Sequence, residues 1–596
     1  MNNRFYQSAL AALFTLGIFS SAYAQTSPEI KEKDFRKHIS HLASDELKGR
    51  MTGTEQEKAA AEYISKEFKR FGLKPYFNGS WFQNFPFISG VELKGNNSFT
   101  FSSTDKKYVV EKDFIPLGFS SSLSVSGEVV FAGYGISSKD NGYDDYEGLN
   151  LEGKIVLVLR YNPEYDNPHS KLEEFASFRY KANIAKEKGA KAILFVNGPA
   201  PVEEDKLQKL TYDRASSVPG IAAVHISRSA ADAMLSKSGF TVKSLQEKIK
   251  ADGEPHSFSV AGVTVQLETG VAEVKKEGIN VAGIIPGSDK NLKDEYIVIG
   301  AHYDHLGMGG ANSLYRGDEP QIHNGADDNA SGTSGILELA EYLSKNKKQL
   351  KRSIILAGFS GEELGLLGSS HMVNNPVVAN EKITAMINLD MIGRLTDSAL
   401  IVYGTGTSSG WKEMLNKNKP ADLNLTFNDE GYGPSDHSSF YGKNIPVLFF
   451  FTGTHSDYHR PGDDAEKINY TGLEAVVKYV AAMVMDISQM SSRPEYVNVP
   501  RKDNQRMGGW KVYVGTIPDY AYSGQGLKIT GVNEGSPAKK AGLHGGDIIT
   551  KFGAKQINNI YDYVYALQEL VPGDIVDLDV TRGEEKIQLK LELGAK

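Results

Sequence analysis

Three stretches of this chain are apolar almost from end to end: Ile297 to Gly300, Ser353 to Phe359 and Ile383 to Leu389. A strand with no polar face must be covered on both sides, so these runs predict a largely parallel sheet between two helical layers. Helical patterns at Ser331 to Leu343 and Leu473 to Ile487 supply the cover. The expected class is α/β, with a mixed, mostly parallel sheet flanked by helices. Ligands of such sheets collect beyond the carboxyl ends of the strands, which is where the polar residues of this region deserve scrutiny.

The chain has 596 residues, too many for one ordinary core, so several domains are expected. A net charge of −8 gives no reason to expect nucleic acid as a partner. With no cysteine, disulfides, thiolate metal sites and cysteine nucleophiles are excluded, and any metal must be held by His, Asp and Glu. Arg4, the apolar run Leu10 to Phe19 and Ala22-Tyr23-Ala24 form a signal-peptide pattern over 1–24. Export to the periplasm or medium is the expectation, with cleavage near Ala24 and no stable membrane span. The remaining divisions are an N-terminal part of the main domain at 25–120, an insertion at 121–272, the rest of the main domain at 273–490, a polar linker at 491–507 and a β-rich domain at 508–596.

Five short segments hold nearly all the unusual polar residues of the central region. They are Gly300 to His305, Gly325 to Gly332, Ser360 to Gly365, Asn388 to Met391 and Asp457 to Asp464. His302 ends a buried strand, and Asp304 two residues on can fix its ring. Glu362 and Glu363 are adjacent after another buried strand, so one dipeptide can supply two roles. Two His, three carboxylate ligands and one spare Glu meet the needs of a zinc pair: one His and one terminal carboxylate per metal, a bridging Asp and a bridging hydroxide. The spare Glu then serves as general base.

These segments, in this order, resemble the M28 zinc aminopeptidases, over about 34–115 and 280–487. Leu42 to Arg50 resembles the opening segment of that family. The resemblance implies the zinc-exopeptidase fold and two zinc ions per chain. It implies that His302 and Asp390 bind one metal, that Glu363 and His459 bind the other, and that Asp328, rather than Asp327, bridges them. Glu362 is then the base, Asp304 orients His302, and Tyr432 stands near the developing oxyanion. With this set complete, His305, His323 and His371 are read as supporting or surface residues. Asp436 and His437 are read as supports, and His455 as lining the substrate pocket.

The insertion resembles a protease-associated (PA) domain, through Gly142 to Tyr146 and the helix at Lys181 to Gly189. The C-terminal stretch resembles a PDZ domain of bacterial proteases, through Val532 to Ile549. There a peptide or protein C-terminus would be held by the loop Ser523 to Ile529. The leading expectation is therefore an exported metalloaminopeptidase acting on peptides with free N-termini. Alternatives are a carboxypeptidase or dipeptidase on the same ligand set, with Arg316, Arg394 and Arg460 as carboxylate-binding candidates. A glutaminyl cyclase and a non-catalytic peptide-binding protein stand further off.

Overall fold

The computed structural model describes residues 29–167, 170–213, 219–310, 312–315, 317, 319–499, 512–518, 525–533, 535–557, 562–563, 566–567, 570–583 and 585–595. The signal-peptide pattern, Arg316, residues 500–507 of the expected linker, and Ser523 and Gly524 of the expected PDZ carboxylate loop lie outside them.

The main domain is built on a nine-stranded sheet. Its strands are β1 (Lys74–Pro75), β2 (Phe82–Leu93), β3 (Val271–Ile285), β4 (Tyr296–His302), β5 (Ser353–Phe359), β6 (Ile383–Leu389), β7 (Ala399–Tyr403), β8 (Asn424–Phe427) and β9 (Val447–Phe451). The order is β1-β3-β5-β4-β6-β9-β7-β8, with β2 pairing on β3. The four central strands β5, β4, β6 and β9 are mutually parallel, while β3 and β7 join them antiparallel. Every residue of β5, β6 and β9 is buried, which is why their sequences lack a polar face. Covering the sheet are α1 (Glu32–Leu42), α2 (Glu55–Arg70), α3 (Gly332–Lys345) and α4 (Tyr470–Gln489), which share one core with it. Thr54 caps α2 by accepting from the Glu57 N–H, and Asn469 caps α4 by accepting from the Gly472 N–H.

A seven-stranded sheet forms the inserted domain. Its parallel core pairs Ser124–Ala132, Ile155–Leu159, Ala192–Val196 and Ala222–Ile226. Two divisions expected from sequence change here. Ser98–Phe101 and Phe114–Pro116, placed in the main domain by a boundary at 120, pair into this second sheet. The boundary at 272/273 falls inside β3, which runs unbroken out of the insertion and pairs with β2 as a long antiparallel ribbon. The described part of the expected linker is tied down too. The Val497 N–H donates to Thr407, the Val499 N–H to the Tyr441 hydroxyl, and Arg493 to the Ile383 carbonyl. Its polar sequence conceals these backbone anchors. The C-terminal domain has a six-stranded sheet, including Leu527–Val532, Ile548–Phe552, Ile575–Arg582 and Glu585–Glu592, around its own apolar core. No helix among the described residues is long and apolar enough to cross a membrane.

Candidate metal centre

The carboxyl ends of β4, β5, β6 and β9 lie side by side, and each leads directly into one of the polar segments. His302 is the last residue of β4, and Asp390 follows β6. Glu362 and Glu363 follow β5, and His459 lies in the loop after β9. Asp328 comes from the irregular turn between β4 and α3, where its φ of −106° and ψ of 90° break the helical path.

Asp328 stands between the two histidines. Its Oδ1 is 3.3 Å from His302 Nε2, and its Oδ2 is 3.3 Å from His459 Nε2. His302 Nε2 is also 3.3 Å from Asp390 Oδ1, and His459 Nε2 is 3.2 Å from Glu363 Oε2. Donors placed 2.0–2.1 Å from a tetrahedral zinc lie about 3.3–3.4 Å apart. His302, Asp328 and Asp390 therefore have the spacing of ligands around a metal, and a second such group is His305, Asp328 and Glu363, with His459 within 3.3 Å of both of its carboxylates. His305 also enters this cluster, with Nδ1 2.7 Å from Glu363 Oε1 and 3.9 Å from Asp328 Oδ2.

Asp327 turns away from this cluster. Its Oδ1 accepts the Gly393 N–H at 2.7 Å, and its Oδ2 lies 3.2 Å from His455 Nε2. His455 is thus set against Asp327 and, at 3.5 Å, the Arg394 guanidinium. Arg394 is itself committed to Asp457 and the Lys467 carbonyl. His302 Nδ1–H points to the main-chain carbonyl of Asp304 at 3.2 Å, with the Asp304 carboxylate at 3.6 Å. That carboxylate accepts the Thr52 hydroxyl at 2.8 Å and the Glu362 N–H at 3.3 Å, so it fixes the backbone that presents Glu362. Tyr432 is not drawn into the buried cluster. It is 39% exposed, and its ring packs edge-on against Tyr441. His323 and His371 bond to Ser313 and Asn375 respectively.

The electrostatics follow from crowding carboxylates in a buried space. Burial, with Glu363, Asp390 and Asp436 adding to it, pushes the Glu362 carboxyl well above its ordinary range, against the pull of His302. Burial opposes charge on His302, but Asp390, Glu362, Asp304 and Asp328 outweigh it and raise the ring well above its usual value. Likewise burial is outweighed at His459 by Glu363 and Asp328, which lift it to about 11. At Glu363, burial and Asp328 are outweighed by His305 and His459, which bring it down to about 2. Asp436 is pushed up to about 7 by burial. Acids exceed bases here, and divalent metal is a counter-charge such a cluster can take.

The sequence matches the family model of peptidase family M28 over residues 280–484. It also matches a PA domain over 125–234 and a PDZ domain over 499–593. The chain thus carries a peptidase M28 domain together with a PA and a PDZ domain. It is 30% identical over 231 residues to leupeptin-inactivating enzyme 1 of Streptomyces exfoliatus, covering 38% of this chain and 47% of that protein. It is 26% identical over 372 residues to aminopeptidase YwaD of Bacillus subtilis, covering 61% of this chain and 68% of that one. It thus spans about half the length of the first relative and two thirds of the second. Among solved structures it is similar to the aminopeptidase from Aneurinibacillus sp. strain AM-1, with 23% identity, a TM-score of 0.43, and 80% and 97% of the two chains covered.

Several residues of this M28 domain and its N-terminal approach that support the cluster were not singled out by sequence. Asp463 Oδ2 accepts the N–H groups of both Asp327 and Asp328 at 3.0 Å, so one carboxylate shapes the turn that carries Asp328. Asn329 ties that turn to β6, donating to the Leu389 carbonyl and accepting from Gly332 and Met391. Ser435 donates to Asp390 Oδ2 at 2.7 Å and accepts from Asn388. Arg50 is fully buried and donates to the carbonyls of Tyr303, Leu42, Asn324 and Gly325. Its place at the end of the Leu42 to Arg50 segment was the available signal. The preceding Gly49 has φ of 68°, and a Cβ there would fall 2.3 Å from the His323 carbonyl.

Proposed function

We propose that this chain is an exported di-zinc aminopeptidase that removes N-terminal residues from peptides, with Glu362 as general base. The observation carrying the reading is Asp328, whose two oxygens each stand 3.3 Å from a different histidine, each histidine paired with its own second carboxylate. His302 and Asp390 would hold one zinc, Glu363 and His459 the other, and Asp328 both. When bound, the zinc pair supplies Lewis acidity toward the scissile carbonyl and lowers the pKa of a water.

The remaining chemistry belongs to the chain. Glu362 is not needed as a ligand, and Asp304 fixes the N–H of its backbone. It would take a proton from the attacking water and return it to the departing amine nitrogen. Burial, with the neighbouring carboxylates adding to it, holds its pKa up, which favours a group that must be protonated in the second half of the cycle. The preference for a free N-terminus draws on relatives such as aminopeptidase YwaD. Of the arginines that a carboxypeptidase reading would use, Arg394 is already bonded to Asp457. The PDZ domain supports a second contact with an extended peptide or protein C-terminus. The residue pattern at 1–24 supports export.

The test is a set of matched free and N-acetylated peptides, with and without chelator. Free peptides should be cleaved from the N-terminus and acetylated ones spared, and chelator should abolish turnover. Cleavage of acetylated peptides would exclude an aminopeptidase. Glu362→Gln should lower kcat by about 10²–10⁴ while the metal content stays at the wild-type level.

A further inference from the structure

His305 is the buried residue of the cluster that the five-ligand scheme leaves without work. It follows Asp304 by one position, and its ring is fully enclosed. One nitrogen, Nδ1, stands 2.7 Å from Glu363 Oε1, while Nε2 has no hydrogen-bond partner among the described residues. A buried N–H left without an acceptor is costly, so the hydrogen belongs on Nδ1, where Glu363 accepts it. The distance is that of a charge-assisted N–H···O bond, and it is shorter than the separation of two donors that share a zinc. Asp328 Oδ2, the other oxygen near the ring, is 3.9 Å away.

The two oxygens of Glu363 therefore face different partners. Oε1 meets His305, and Oε2 meets His459 Nε2 at 3.2 Å. The ring of His305 has little freedom to leave this place. It lies against Gly325, where an added Cβ would fall 2.5 Å from His305 Cδ2, so the ring is wedged between Glu363 and the start of the turn carrying Asp328. The Glu363 backbone is held from another side, where Asn312 donates to its carbonyl at 2.6 Å.

We propose that His305 is a positioning residue for the second metal, on the di-zinc reading given above. It occupies Glu363 Oε1 through Nδ1–H, so that Glu363 offers Oε2 as a single ligand oxygen beside His459. It is not itself a ligand. Without this bond the Glu363 carboxylate can rotate and is no longer pre-set for the metal, and outer hydrogen bonds of this type typically contribute about 10–100-fold to metal affinity. The His302–Asp390 side does not depend on it.

The experiment uses the full chain stripped with chelator and titrated with Co²⁺, reading visible absorbance per equivalent and bound metal per chain. Wild type should take up two equivalents. His305→Ala should take up the first with wild-type affinity and bind the second about 10–100-fold more weakly. His305→Leu should do the same if the alanine variant does not fold. His305→Asn places an amide N–H near the position of Nδ1 and should restore the second equivalent with an unchanged cobalt spectrum. A second equivalent bound as tightly in His305→Ala as in wild type would overturn the proposal. So would an altered spectrum in His305→Asn, which would mark the ring as a direct ligand. A wild-type chain that binds fewer than two equivalents would instead remove the di-zinc reading on which the proposal rests.

Discussion

The two halves of the cluster around Asp328 use the same residue types but are built differently. On one side His302 and Asp390 sit at the ends of adjacent parallel strands. Thr333 donates to the His302 carbonyl at 2.8 Å, and Ser435 fixes the second oxygen of Asp390. On the other side Glu363 and His459 come from loops. The His459 side chain is 14% exposed, its φ is 53°, and its Nδ1–H is held by the Asn312 carbonyl at 2.9 Å. A strand end inherits the rigidity of the sheet. A loop ligand has only its own hydrogen bonds, and such regions open at lower free energy. The same ligand chemistry should therefore give a tight position at His302–Asp390 and a more exchangeable one at Glu363–His459.

The most severe way to break this contrast is to remove what both halves share. Asp328→Ala should abolish turnover, by at least about 10³-fold, and leave less than one tightly bound metal per chain by elemental analysis. If it retained two, Asp328 would not be the common ligand. Separating the halves comes next. His302→Ala should lose both metals at low free metal, whereas His459→Ala should keep close to one equivalent. Equal retention in the two variants would erase the proposed asymmetry. Asp463→Asn probes the turn from behind, because an amide is a weaker acceptor for the two N–H groups of Asp327 and Asp328. It should cost about 10–100-fold in metal affinity at both positions together, measured by competition with a chromogenic chelator. The smallest effect is expected from Thr333→Val, which removes one hydrogen bond beneath His302. It should lower stability by about 0.5–1.5 kcal/mol in denaturant titration, with activity preserved.

The sequence was most legible where burial is complete. The runs that became β4, β5 and β6 have no polar face, and that alone predicted strands whose carboxyl ends would gather the polar segments, whereas the equally buried β9 was not singled out. Asp327 and Asp328 are different, because spacing cannot separate neighbours in an irregular turn. Only the backbone path directs one carboxylate to the histidines and the other to Gly393. Arg50 and Asp463 were hidden for another reason. Apart from the Leu42 carbonyl near Arg50, their side-chain partners lie more than 100 residues away, so the local sequence does not show what they hold. The short strands Ser98–Phe101 and Phe114–Pro116 were misassigned between domains on the same ground, since their pairing partners lie in Ser257–Glu268 and Ala222–Ile226. Tyr432, expected from the resemblance to stand near the developing oxyanion, packs edge-on against Tyr441.

Anomalous diffraction from zinc-loaded crystals, collected on both sides of the zinc edge, tests the central claim most directly. Two peaks should flank the Asp328 carboxylate, one in contact with His302 and Asp390 and the other with Glu363 and His459. Partial chelation should diminish the second peak first. A single peak, or two peaks with Asp328 bound to only one of them, would contradict that claim.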